Sequence, residues 1–276
     1  MKGLKSLSLF ISILLIFFAI LIILTFFGNP ISRIVAEVAA NKYLKTHYTD
    51  LDLERDRVYY DFKDGSYVVR LQDKNSIDTN FNLRFNSFGK MKRDTYDERL
   101  FNTFRRYIDF LYDLGEEIAR DNGLDFEIWL RPDNDFDYRE YLTLDQDFDA
   151  DDLPSKVTAD FKAYAEKPSL EDLMNGLKKV YEALKERDIA VKSYSGLVIP
   201  NADKEEDGEA ETWKNAISVN DVPEEVIISE DMEELKRIFD QGNEILHKWC
   251  KTIGVAVPRF SIAIIYKKFQ YYKVFL

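Results

Sequence analysis

The chain has 276 residues, 50 of them acidic and 38 basic, for a net charge of −12 at neutral pH. A surface this acidic repels polyanions and excludes nucleic acid as a partner, since that function needs a basic patch. With 46% hydrophobic and 14% aromatic residues the chain can fill well-packed cores, which excludes a disordered stalk, and its length suits one or two domains.

Leu7 to Phe27 is a block of 21 residues without charge or proline. As a helix rising 1.5 Å per residue it spans roughly 31 Å, and a bilayer's hydrocarbon core is about 30 Å thick. Seventeen of these residues are Leu, Ile or Phe, which favours membrane insertion by roughly 5–10 kcal/mol. Ser8, Ser12 and Thr25 do not reverse that preference, because their hydroxyls bond back to helix carbonyls. A secretory signal has a shorter apolar region, about 7–15 residues, and then a small-residue cleavage site. Phe26-Phe27-Gly28-Asn29-Pro30 is a poor site, and Val38-Ala39-Ala40 lies well beyond the block. The expectation is an uncleaved transmembrane helix over 7–27, in contact with the lipid bilayer, behind a short cytoplasmic tail at 1–6. Charge leaves the orientation nearly tied, with Lys2 and Lys5 before the block and Arg33, Lys42 and Lys45 after it. Cys250 is the only cysteine, the usage of an exported domain that avoids thiols, so the C-terminal part is expected outside the cytoplasm, held at the cell membrane.

Gly28-Asn29-Pro30 reads as a helix stop followed at once by a restart: glycine ends one helix, Asn29 caps the next and Pro30 suits its first position. In the new helix Val35/Ala39/Tyr43 and Ala36/Ala40/Leu44 form an apolar face and Glu37/Asn41/Lys45 a polar row. Alternation at Val58/Tyr60/Phe62, an Asp64-Gly65 turn and alternation again at Tyr67/Val69/Leu71 predict a hairpin. Phe81/Leu83/Phe85 predict a third strand, and Phe88-Gly89-Lys90 turns the chain into a short fourth. These elements make an N-terminal α+β module over 30–122, a helix on an antiparallel sheet with one wet face. Its last element is a helix carrying Phe101, Phe104, Ile108, Leu111 and Ile118, ended by Asn122-Gly123.

The remaining residues, 123–276, are expected to form a second α+β module. "LDFEIWL" reads as a strand, followed by a strand at Tyr138 to Leu144, a helix at Leu170 to Leu184 and strands at Ile189 to Ile199 and Trp213 to Val219. A helix at Met232 to Trp249 and a strand at Val255 to Tyr266 complete the order. From Tyr138 onward this is a β-α-β-β-α-β succession, matching a ferredoxin-like split βαβ module.

"GNPISRIVAEVAANKYLKTHY", "DLDLERDRVYYDFKDGSYVVRL" and "SIDTNFNLRF" resemble the N-terminal half of the YfjL-like membrane-anchored proteins of Bacillus and relatives. The resemblance is most specific over about residues 28 to 90, and it covers the C-terminal half through length and element order. It implies a bacterial, single-pass, two-module protein and carries over no catalytic residues. In outline the first module is also similar to the PepSY-type and cystatin-like helix-on-sheet modules, which bind or restrain partners, an analogy of fold alone.

Candidate sites are few. "PDNDFDYREYLTLDQDFDADD" spaces carboxylates two apart, and Asp133, Asp135, Asp137, Asp147, Asp149 and Asp151 are the candidate calcium ligands. A calcium-binding EF-hand loop needs glycine at its sixth position and glutamate at its twelfth. Counting from Asp133 finds Tyr138 and Leu144, and counting from Asp145 finds Ala150 and Lys156. The run therefore reads as a solvated acidic strand edge and linker, with calcium ligation the alternative. His247 and Cys250 lie three apart on a predicted helix, but two ligands are half a zinc site and the other histidine, His47, is far away in sequence. No phosphate loop, HExxH, GxSxG or SxxK pattern occurs, and no cofactor is implied. The expectation is a binding or regulatory module for a protein, peptide or cell-wall glycan. The alternative is an envelope hydrolase working through paired carboxylates.

Overall fold

A computed structural model describes residues 2–206, 210–212 and 215–252. The chain divides into two compact units. One runs to Phe104 and takes in Leu142–Gln146; the other runs from Arg105 to Tyr141 and from Asp147 onward. The class is α+β, as the residue patterns predict.

The first unit opens with α1 (Lys2–Phe27), the apolar block. Its described side chains between Phe10 and Phe27 lie uncovered except Leu24, which is half-buried. By length and composition α1 can cross a membrane. After two residues comes α2 (Pro30–His47), with Asn29 as its cap and proline at its first position. The sheet consists of β1 (Leu53–Arg55), β2 (Tyr59–Asp61), β3 (Ser66–Asp73), β4 (Asn80–Phe85) and β5 (Met91–Asp94). The strands lie in the order β1-β3-β4-β5, and β2 also pairs with β3. All these pairings are antiparallel.

Alternation sends Tyr67, Val69 and Leu71 of β3 and Phe81, Leu83 and Phe85 of β4 to one face. There they pack with Ala36 and Ala40 of α2 in a single buried cluster. The small Ala36/Ala40 row brings the helix close to the sheet, and each large side chain buried there contributes roughly 1.5–3 kcal/mol. Strand β1 has no alternating apolar pattern of its own and escapes sequence reading.

Leu142–Gln146 belongs to this unit for a polar reason. Asp145 Oδ1 accepts hydrogen bonds from the Ser76 hydroxyl at 2.9 Å and the Asp78 amide at 2.8 Å. The buried Asp78 carboxylate accepts one from the Thr103 hydroxyl at 2.7 Å. Thr103 lies near the start of α3 (Leu100–Asp121).

The second unit holds a sheet of β6 (Glu127–Pro132), β7 (Val157–Ala165), β8 (Val191–Pro200) and β9 (Ile217–Val222), in that order. Between them come α4 (Tyr138–Tyr141) and α5 (Leu170–Glu186), and after them α6 (Glu224–Ile228) and α7 (Met232–Thr252). A capping box starts α5: the Ser169 hydroxyl accepts from the Asp172 amide, and the Asp172 carboxylate accepts from the Ser169 amide. Leu173, Leu177, Val180 and Leu184 then form its buried stripe. Gly176 removes the side chain where the Phe161 ring of β7 meets α5; a Cβ there would lie 2.2 Å from that ring.

Two sequence expectations are corrected here. Tyr138 to Leu144 is not a strand: the Asp137 carboxylate accepts from the Arg139 amide at 3.0 Å and starts the short helix α4. The strand that precedes α5 is β7. Its charged residues disguise it, because Asp160 and Lys162 are buried and find their partners, Arg131 and Glu127, across on β6. The ferredoxin-like arrangement requires a strand between the two that flank the first helix. Instead β7 and β8 pair directly in parallel along their length, an unsplit βαβ unit. The expected strand at Val255 to Tyr266 lies outside the described residues.

Candidate functional site

The place where α1 gives way to α2 is the most closely determined surface feature of the first unit. The Gly28 amide closes α1 by donating to the Leu24 carbonyl at 3.0 Å. Gly28 itself has φ +73°, left-handed backbone that glycine adopts without steric cost. The Tyr60 ring fills the space a side chain would take, with Tyr60 Cγ 2.5 Å from an ideal Cβ. Asn29 is extended, and its Oδ1 accepts from the Ile31 amide at 2.8 Å.

The buried Tyr67 hydroxyl handles both backbone groups of Asn29. It accepts from the amide at 2.7 Å and donates to the carbonyl at 3.1 Å. Tyr67 and Tyr60 face each other across β2 and β3 with ring centroids 5.1 Å apart, and Phe62, just past β2, rests against Phe26 at 5.7 Å. The turn that carries Phe62 is itself braced: Arg84 donates to Asp61 at 3.0 Å and Asp64 at 2.8 Å. Burial pushes the Asp64 carboxyl up, but the Ser66 hydroxyl and the charges of Arg84 and Lys92 outweigh it and hold the group below the usual carboxylate range.

At the other end of α2 lies a second polar cluster. The Tyr43 and Tyr48 hydroxyls both donate to Asp94 Oδ2, at 3.0 and 2.5 Å, while Oδ1 accepts from the Tyr96 amide at 2.9 Å. His47 stacks on Tyr43 at 3.9 Å, and its Nδ1 lies 3.1 Å from the Tyr43 carbonyl. With its oxygens engaged this way, Asp94 acts as a structural acceptor. Burial, then the bond to Asp94 and its charge, raise both phenols above their ordinary range.

The six calcium candidates are not gathered into one site. Asp133 and Asp135 share Lys192, the latter at 2.9 Å. Burial raises the Asp133 carboxyl, but Lys192 and two backbone amides hold it below the usual range. Asp137 caps α4. Asp147, Asp149 and Asp151 are exposed, and the Asp149 carboxylate accepts from the Asp151 amide. Among the described residues no group of three or more His, Cys, Asp or Glu side chains is placed to hold a metal. His247 and Cys250 fall in α7, with side chains outside the described residues.

The junction and the Asp94 cluster were not found by sequence reading. Tyr67 looks like any alternating strand residue, and its partner lies 38 positions earlier. Nothing local marks Asp94 as the acceptor for two phenols about fifty residues away.

Two consequences are measurable. Tyr67→Phe strands the Asn29 amide without its partner, at a cost of about 1–3 kcal/mol, so limited proteolysis of the full chain in detergent should cut faster at Gly28 to Ile31. An unchanged cutting rate contradicts the role given to Tyr67. For the phenols, a folded-state pKa above the unfolded value of about 10 means their contribution is complete below pH 10 and is lost as pH rises through the folded value. Tyr48→Phe should therefore destabilise the first unit by about 1–2 kcal/mol at neutral pH and flatten its loss of stability above pH 10. Parallel alkaline profiles for the two proteins would count against this.

Comparison with known proteins adds the family. Residues 3–98 match the YfjL-like N-terminal domain and residues 114–237 the YfjL-like C-terminal domain. No curated protein and no solved structure matches the chain. A chain that carries both halves in order, over most of its length, belongs to the YfjL-like family.

Proposed function

We propose that the protein is a single-pass membrane protein whose α1 stays in the bilayer, with residues 1–6 in the cytoplasm. Its two α+β units then stand outside the cytoplasm as binding or regulatory modules for a protein, peptide or cell-wall ligand. The observation that carries the reading is the way α1 is keyed to the first unit. Phe26 packs on Phe62, Gly28 on Tyr60, and both backbone groups of Asn29 bond to Tyr67. A leader destined for removal gains nothing from such contacts, and cleavage at residues 26–30 would take them from the folded unit. A buried core helix does not fit either, because the described side chains of α1 other than Leu24 are exposed along its length.

Binding is preferred to hydrolysis because the sequence carries no HExxH, GxSxG or SxxK pattern. A glycoside hydrolase keeps one carboxyl protonated at working pH by raising its pKa. Three carboxyls are held below the usual range instead: Asp64 by the Ser66 hydroxyl and then Arg84, Asp133 by Lys192 and Glu234 by Arg237. Asp160 accepts a hydrogen bond from Arg131 at 2.6 Å.

Protease added to intact protoplasts should digest the chain beyond Gly28 and leave a membrane-held fragment containing α1. Crosslinking in the same cells should join the protected-side-free units to a reproducible envelope partner. Digestion only after permeabilisation would overturn the orientation, and an accessible chain that captures nothing but hydrolyses envelope glycan would overturn the binding role.

A further inference from the structure

The helix that follows the junction has two faces, and the core uses one. Ala36 and Ala40 are buried against the sheet. On the opposite side Ile31, Ile34 and Val38 are 70%, 65% and 64% exposed. Their i, i+3, i+7 spacing places them on one stripe. Two exposed phenylalanines lie beside the two helices. Phe62 rests on Phe26 of α1, and Phe88 sits on a turn whose next residue, Gly89, packs against Val35 and Ala39 of α2. An apolar surface of this kind marks an interaction site.

Two observations say what covers it. The first is continuity with α1: only three residues lie between Phe27 and Ile31, four steps of chain that span at most roughly 14 Å even fully extended. An amphipathic helix lying on a membrane buries its apolar face about 5–10 Å into the boundary between headgroups and acyl chains, so the stripe starts within reach of that layer. The second is charge. In a chain of net charge −12, α2 carries Arg33, Lys42 and Lys45 against a single acid, Glu37, which is already paired with Arg55. Lys42 and Lys45, four and seven residues beyond Val38, are exposed on the same face as the apolar stripe, and they suit an anionic surface.

We propose that the outward face of α2, together with Phe62 and Phe88, docks into the headgroup layer of the bilayer that α1 crosses, with Lys42 and Lys45 meeting anionic phospholipid. This rests on the reading of α1 as a membrane span, and it adds that the first unit is held flat against the membrane rather than hanging from it.

The test uses the full chain in nanodiscs of phosphatidylcholine and phosphatidylglycerol, with Cys250→Ser as background and one environment-sensitive fluorophore per protein. Ile16→Cys reports on the span and Val38→Cys on the docking face. Ile77→Cys is an exposed isoleucine beyond the end of β3 remote from Tyr67, about 20 Å along the strand. With brominated acyl chains, labels at 16 and 38 should be quenched and the label at 77 should not. Quenching at 38 should weaken when phosphatidylglycerol is omitted. If 16 is quenched while 38 behaves like 77, the docking inference fails and the span survives. If 16 itself is unquenched, the span fails. A label at 38 that is shielded without bromolipid quenching, and released when each disc holds a single chain, identifies a second copy as the occupant and overturns the proposal.

Discussion

One hydroxyl determines how the first unit begins. Where a helix ends, its terminal carbonyls and the amides of the next helix need partners within a few residues, and the two-residue break at Gly28 and Asn29 leaves little chain to supply them. Tyr67 reaches in from β3 to bond both backbone groups of Asn29, while Gly28 turns the chain through left-handed backbone against Tyr60. Because Tyr67 also belongs to the buried cluster shared with Ala36 and Ala40, the direction of α2, its seat on the sheet and the exit of α1 are settled by the same side chain. The apolar helix is therefore attached to the folded unit through its core, without a flexible tether.

The acidic character of the chain looks different once its carboxylates are located. Many are engaged by a neighbouring base or a backbone amide: Asp61 and Asp64 by Arg84, Asp160 by Arg131, Asp133 and Asp135 by Lys192, Asp145 by the loop at Ser76 and Asp78. The exposed pairs among them add little stability each, about 0–1 kcal/mol, but they fix turns and strand edges. The run Asp133 to Asp151, which in sequence reads as an acidic strand edge and linker with calcium ligation as the alternative, is divided between a lysine on β8, a helix cap, a brace for a loop of the first unit and exposed linker.

The parts of the fold legible in the sequence are those whose signal is local. The apolar run of α1, the Asn29-Pro30 restart, the Asp64-Gly65 turn and the alternation of β3 and β4 all depend on neighbours in sequence, and each element is found close to its expected position. Elements whose residues are explained only by distant partners were misread. Strand β7 carries Asp160 and Lys162 because β6 answers them; the segment at Tyr138 is a different case, a helical turn set by the local Asp137 cap beneath an alternating pattern. The direct pairing of β7 with β8 is likewise a property of the assembled sheet. The junction falls between these cases: its break is visible in Gly28-Asn29-Pro30, while the role of Tyr67 depends on the folded hairpin.

The central claim is that α1 remains part of the working protein and stays in the membrane. The most direct measurement is the intact mass of the protein recovered from alkali-washed membranes of cells that express it, alongside the culture fluid. The account predicts a membrane-retained species of the full 32.4 kDa. A mature chain found free in the fluid, shortened to a start beyond Gly28, would contradict it.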